Sequence, residues 1–306
     1  MQEHVDDSGS DLPQTPYEKA RDTVKGLWRG FFGEPRPRVA VLRLTGVISP
    51  GGGRFQRTLN IAGLAPLIEQ AFSTSGLAAV ALVINSPGGS PVQSALIAQR
   101  IRAMAVEKNV PVIAFAEDVA ASGGYMLALA GDEIFAHEAS IVGSIGVISS
   151  GFGLKAVIER FGIERRLYTA GERKAMLDTF SETKEEDVAR LKDIQAAIHE
   201  NFKAMVRDRR GARLKGARAQ IFSGDVFTGA EAVKLGLIDG IGDVRSLMRT
   251  RFGKRVRFRV IGERKPRLGA LFGLGSSSRE APAPADWAGG LLAAIEERLF
   301  WNRFGL

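Results

Sequence analysis

The stretch Ala79-Val80-Ala81-Leu82-Val83-Ile84-Asn85-Ser86-Pro87-Gly88-Gly89-Ser90-Pro91 decides the fold. An apolar run of strand length stops at a cluster of turn formers, and a helical pattern opens at Pro91, where proline suits a first helical position. Working outward, the same alternation recurs. The apolar runs at 38–44, 79–85, 110–116, 133–136 and 165–169 predict strands, and 91–105, 122–130, 154–161, 184–207 and 229–235 predict helices. Alternating strands and helices define an α/β layout. In 184–207, Val188, Leu191, Ile194, Ile198, Phe202 and Met205 recur at three- and four-residue steps and form one apolar stripe.

Two glycine-rich junctions follow strands, and both can carry chemistry. In Asn85-Ser86-Pro87-Gly88-Gly89-Ser90, adjacent glycines let backbone N–H groups point outward, where they could hold an oxyanion or a phosphate. A plain tight turn fits the same residues, and no Gly-Lys-Ser/Thr follows that would make a nucleotide loop. In Ala120-Ala121-Ser122-Gly123-Gly124-Tyr125, small neighbours leave Ser122 uncrowded at a helix start, where the Gly123 N–H can complete an oxyanion hole. Ser122 as a simple N-cap fits that segment too. A nucleophilic serine needs a base. His137, at the end of a short strand, reads as a structural histidine. Lys174, in Gly171-Glu172-Arg173-Lys174, is the other candidate, and a lysine is a base only when its amine is neutral, which takes burial or cationic neighbours. Asp118 and Glu138 lie near the motifs and read as local caps or pair partners.

Taken together, Ile84–Ser90, Ala121-Ser122-Gly123-Gly124-Tyr125, Val142-Gly143-Ser144-Ile145-Gly146-Val147, the turn at 171–174, Val226-Phe227-Thr228-Gly229 with Ala232, and Gly236-Leu237-Ile238-Asp239 resemble the S49 peptidase family of the signal peptide peptidase A type. The resemblance spans about residues 39–244 and implies a ClpP/crotonase-like core of repeated β-β-α units with flanking helices. It implies Ser122 as nucleophile and Lys174, 52 positions later, as general base. It further implies Gly89 and Gly123 as oxyanion-hole donors and Ser144 as the residue that orients the lysine. The expected activity is a serine endopeptidase acting on signal-peptide remnants or other membrane-associated peptides, with no metal and no cofactor. Family members assemble as rings or domes, some sharing serine and lysine between subunits, so the same is expected here. The alternatives are a crotonase-like acyl-CoA enzyme, which needs acidic residues in place of the dyad, and a catalytically silent membrane-bound scaffold.

Composition agrees with a hydrolase of this kind. The 306 residues are 45% hydrophobic and 25% charged, a globular balance. Zero cysteines exclude disulfides, thiol catalysis and thiolate metal sites, and three scattered histidines (His4, His137, His199) do not make a histidine-centred metal cluster. The expected organisation is a polar tail and basic amphipathic helix over 1–37, a catalytic domain over 38–262, a linker over 263–285 and an amphipathic helix over 286–306. No signal peptide or spanning segment is evident, unlike many relatives with an N-terminal anchor. All three tryptophans, Trp28, Trp287 and Trp301, fall in the terminal segments. With the formal charge of +8 they suit peripheral contact with the cytoplasmic side of a membrane, or cover for a subunit or for the domain itself. Nucleic acid is not an expected partner: the basic stretch 247–267 reads as a solvated or lipid-facing surface.

Overall fold

The computed structural model describes residues 36–51, 58–171, 173–262 and 298–305. The expected tail and helix over 1–37 and the linker over 263–285 therefore lie almost wholly outside the described residues. Strand β1 (Arg38–Thr45) leads through helix α1 (Ile61–Phe72) to β2 (Leu77–Ser86), and then through α2 (Pro91–Lys108) to β3 (Val112–Ala121). These strands pair in parallel in the order β3-β2-β1, as crossovers through helices require. β2 is apolar along nearly its whole length because both of its faces are covered. On one face Leu82, Ile84, Ile97 and Leu127 join the larger core. On the other, Val83, Phe115, Phe135 and Met248 form a second core.

β3 is the fork of the sheet. Ile113–Ala116 pairs with β4 (Glu133–Ala136), whereas Val119–Ala121 pairs with β5 (Ile141–Gly143). Between them, Glu117 binds Arg43 (2.7 Å) and Asp118 accepts from the Asn85 side-chain amide (2.6 Å), so two charges sit mid-strand where the pairing changes partners. β5 pairs antiparallel with β6 (Val226–Thr228), β4 with β7 (Gly240–Ile241), and β8 (Arg257–Val260) pairs with β1 at the edge. The remaining helices are α3 (Gly123–Ala128), α4 (Lys155–Arg160), α5 (Glu185–Arg210), α6 (Arg218–Ile221), α7 (Gly229–Leu235) and α8 (Val244–Phe252).

The expected α/β class is the arrangement observed, a mixed eight-stranded sheet with helical crossovers between its central parallel strands. One expected strand is absent: residues 165–169 are irregular, with Leu167 and Tyr168 exposed and no neighbouring strand to satisfy them. The α5 stripe is split. Phe202 is buried with Val206 in the main core, whereas Ile194 is exposed and Val188, Leu191 and Ile198 are half-buried.

The C-terminal end of α5 is bolted to the rest by charge. Arg210, 3% exposed, donates to Asp239 (2.8 and 3.1 Å) and to the Gly236 carbonyl (2.9 Å), and Arg213 reaches the same carboxylate. Asp239 also accepts from the Ile134 N–H (2.7 Å), which ties the Gly236-Leu237-Ile238-Asp239 segment to β4. Burial pushes the Asp239 carboxyl up, but the hydrogen bonds from Arg210, the Ile134 N–H and Arg213, with the Arg210 charge, outweigh it and hold it below its ordinary value.

Candidate active site

The two glycine junctions meet. Pro87-Gly88-Gly89 joins β2 to α2, and Ser122 joins β3 to α3, at the same end of neighbouring parallel strands. A Cβ on Gly88 would lie 2.8 Å from the Ser122 Cβ and 2.9 Å from the Gly123 nitrogen, so only glycine permits this approach. Gly88 and Gly89 have φ of 103° and 137°, a region side chains disfavour. The turn is pinned by the segment around Ile48, whose N–H donates to the Gly88 carbonyl and whose carbonyl accepts from the Ser90 N–H (both 2.8 Å). A Cβ on Gly89 would overlap that Ile48 carbonyl. Gly89→Ala is therefore expected to cost about 2 kcal/mol or more in stability, read as a drop of several degrees in a thermal melt, with loss of whatever activity the turn supports.

Ser122 has φ 53° and ψ −121°, a strained conformation for a residue with a side chain. Strain of this kind at a sharp strand-to-helix turn lifts a side chain clear of the sheet, as in a nucleophile elbow. Its N–H donates to the Gly143 carbonyl (2.8 Å), but its hydroxyl makes no capping bond, so the N-cap reading fails. Among the described residues, the Ser122 hydroxyl and the N–H groups of Gly89 and Gly123 have no hydrogen-bond partner. All three residues line one cleft of about 950 Å³. Its walls are largely apolar and come from α2, from Met126 on α3, from residues 146–148 and from Phe202 and Met205 on α5.

Ser144 stands beside this group. Ala121 pairs with Gly143, so Ser122 and Ser144 occupy the positions just past the paired ends of β3 and β5, and both have positive φ (53° and 51°). The Ser144 N–H donates to the Asp225 carbonyl (2.7 Å), which anchors it to the turn before β6. Its hydroxyl has no partner among the described residues. Lys174 is placed differently: it is exposed and is not among the residues lining the Ser122 cleft. His137 accepts from the Ala139 N–H at Nδ1 (3.2 Å) and closes its own turn, a structural role. His199 Nε2 donates to the Ile145 carbonyl (2.8 Å), and Asp118 is engaged by Asn85.

The sequence reading missed the walls. Phe202 and Met205 appeared only as part of a helical stripe, and no signal placed Met126 or Ile148 at a cleft. It also left the role of Tyr125 unread: its hydroxyl, fully buried, donates to the Leu237 carbonyl (2.7 Å) and locks the helix that follows Ser122 to the Gly236–Asp239 segment. Desolvation raises the Tyr125 pKa well above the ordinary phenolic value, so the hydroxyl stays a donor.

A free serine hydroxyl on a strained turn, beside two unpartnered N–H groups, is the arrangement of a serine-type hydrolase. Residues 104–252 match the family model of peptidase family S49, the family that the sequence motifs resemble. Over 240 residues it is 29% identical to the putative signal peptide peptidase SppA of Enterococcus faecium, covering 74% of this chain and 69% of that protein. It is 30% identical to the chloroplastic serine protease SPPA of Arabidopsis thaliana over 76% of this chain and 34% of that one. A protein of Brucella abortus named Na(+)/H(+) antiporter NhaA is 48% identical over 92% of this chain, but the chain spans only 39% of its length. Among the described residues no helix is long and apolar enough to cross a membrane. Among solved structures, a mutant of the 1510-N membrane-bound stomatin-specific protease in complex with a substrate peptide aligns at 17% identity and a TM-score of 0.47, over 78% of this chain and 96% of that one.

Proposed function

We propose that this chain is a serine endopeptidase in which Ser122 attacks the peptide carbonyl and Lys174 is the general base, acting on signal-peptide remnants or other membrane-associated peptides. The observation that carries the reading is the unpartnered Ser122 hydroxyl, held by a strained turn in an apolar cleft that also receives the Gly89 and Gly123 N–H groups. The match to the S49 family model supports the reaction class.

The steps follow from the parts. The neutral Lys174 amine takes the Ser122 proton as Oγ bonds to the carbonyl carbon. The Gly89 and Gly123 N–H groups receive the oxyanion, each contributing about 3 kcal/mol in comparable hydrolases. The lysine then protonates the leaving amine, and water, deprotonated by the same lysine, releases the acyl group and restores the serine. Ser144, with its hydroxyl free beside Ser122, would hold the lysine amine in line.

Because Lys174 is exposed in the single chain, the dyad is proposed to form between two copies. Residues 148–168 favour such a contact: Ile148, Phe152, Phe161 and Tyr168 are each more than 60% exposed, and α4 buries no residue at all. A second copy laid on this surface would cover the apolar side chains, and burying the Lys174 amine would provide the desolvation a basic lysine needs. The test mixes Ser122→Ala and Lys174→Ala chains, each inactive alone. If neighbouring copies share the dyad, a dissociated and reassembled equal mixture should recover roughly a quarter of wild-type peptide cleavage, since random assembly pairs an intact serine with an intact lysine that often. No recovery in assembled mixtures would place both residues in one subunit.

A further inference from the structure

The cleft that holds Ser122 is closed on one side by the chain's own C-terminal end. Residues 298–302 are helical, and Leu299, Phe300 and Arg303 line the same cleft as Gly89, Ser122 and Gly123. The Phe304 N–H donates to the Trp301 carbonyl (2.9 Å) and closes the last turn. The chemistry matches on both sides. The helix brings a leucine and a phenylalanine, and the cleft offers Val92 on α2 and Phe202 and Met205 on α5. The seat is shallow: Leu299 remains 53% exposed, and no residue of 298–305 is buried.

We propose that residues 298–305 are a tethered plug of the peptide cleft, docking on its α2 and α5 walls and competing in cis with substrate. This rests on the reading of the cleft as a peptide site. An occupant that shares the cleft with the nucleophile excludes an extended peptide from the same apolar wall. The shallow seat lets substrate displace it, so the effect is a brake and not a permanent block. The tether makes a weak contact sufficient. Only 35 residues separate Gly262 from Arg298, and a covalent connection of that length confines residues 298–305 to an effective concentration of about 1 mM near the cleft. A site with an intrinsic affinity some fivefold tighter than that is occupied most of the time without any partner. A second copy's end has the same chemistry, but its occupancy would fall on dilution, whereas occupancy in cis does not.

The test uses the full chain carrying Leu299→Asp and Phe300→Asp, both at positions that no core depends on. In a Ser122→Ala background, so that nothing is cleaved, a fluorescent synthetic peptide of residues 296–306 is titrated by anisotropy. The peptide should bind the double variant about fivefold more tightly than the chain with its own end intact, at any protein concentration. With Ser122 present, the double variant should cleave a reporter peptide with kcat/KM about fivefold higher, through KM and not kcat. Equal peptide affinity for both chains overturns the plug. Tighter peptide binding with unchanged KM overturns the competition. A difference that disappears on dilution overturns the action in cis. Tighter binding to the double variant with no cleavage by any chain leaves the plug standing and removes the peptidase reading instead.

Discussion

Ser122→Ala is expected to lower kcat for peptide cleavage by about 10⁴-fold or more, because the reaction loses its only attacking atom while the oxyanion donors remain. The fold should not register the change. The Ser122 hydroxyl makes no hydrogen bond within the described residues, and its N–H bond to the Gly143 carbonyl survives the substitution. A melting temperature within about 2 °C of wild type is therefore expected. Ser122→Gly gives a sharper reading. Glycine tolerates the φ of 53° that serine endures, so this variant should be equally inactive and at least as stable as Ser122→Ala. A glycine variant more stable than Ser122→Ala would show that the conformation of this turn costs the fold free energy when a side chain is present. If Ser122→Ala cleaves at the wild-type rate, the nucleophile is another residue.

The second large effect concerns Asp239. Arg210 is nearly fully buried, and Asp239 is the carboxylate it meets, so Asp239→Asn strands a buried guanidinium. Removing one partner of such a pair costs about 3–5 kcal/mol, equivalent to a fall in melting temperature of roughly 10 °C for a domain of this size. The pH dependence has a definite sign. The folded Asp239 carboxyl is held below its ordinary value, so its contribution is fully present above about pH 4 and is lost as pH falls through the lowered folded value. The stability gap between wild type and Asp239→Asn should therefore be constant from pH 5 to 8 and narrow in stronger acid. A gap that does not narrow would mean that packing, not charge, holds the segment. Adding Arg210→Met to the Asp239→Asn chain should restore part of the loss, since it removes the stranded charge.

How far the sequence could be read is best seen element by element. β4 and α7 have the bounds read for them, because a short apolar run and a Thr228–Glu231 capping box mark them locally. The Ser122 turn was legible for the same reason: two glycines and small neighbours announce a tight strand-to-helix junction. β3 was read as ending at Ala116 because Glu117 and Asp118 interrupt its apolar run. In the fold these two charges sit where the strand changes partners from β4 to β5, Glu117 paired with Arg43 and Asp118 hydrogen-bonded by the Asn85 amide. Helix α1 escaped notice, with Pro66 in its interior. β8 was hidden as well, since its exposed Arg257 and Arg259 alternate with Phe258 and Val260 and read as a basic stretch rather than an edge strand. The irregular stretch 165–169 carries strand-forming residues without a strand to pair with. Ser122, Gly89 and Gly123 converge because β2 and β3 end together, and Ser144 stands one position past the paired end of β5, whereas Lys174 lies on an exposed turn outside the lining of the cleft, a separation that no local pattern announces. The approach of residues 298–305 to the cleft is a contact across the whole chain, beyond any local pattern.

The most direct measurement is intact-mass and peptide mapping of the assembled protein after exposure to a fluorophosphonate, which phosphonylates an activated serine far faster than an ordinary one. Wild type should gain one adduct per chain, on Ser122, Lys174→Ala should gain it far more slowly, and Ser122→Ala should gain none. An adduct on a different residue, or the same labelling in wild type and Ser122→Ala, would contradict the account.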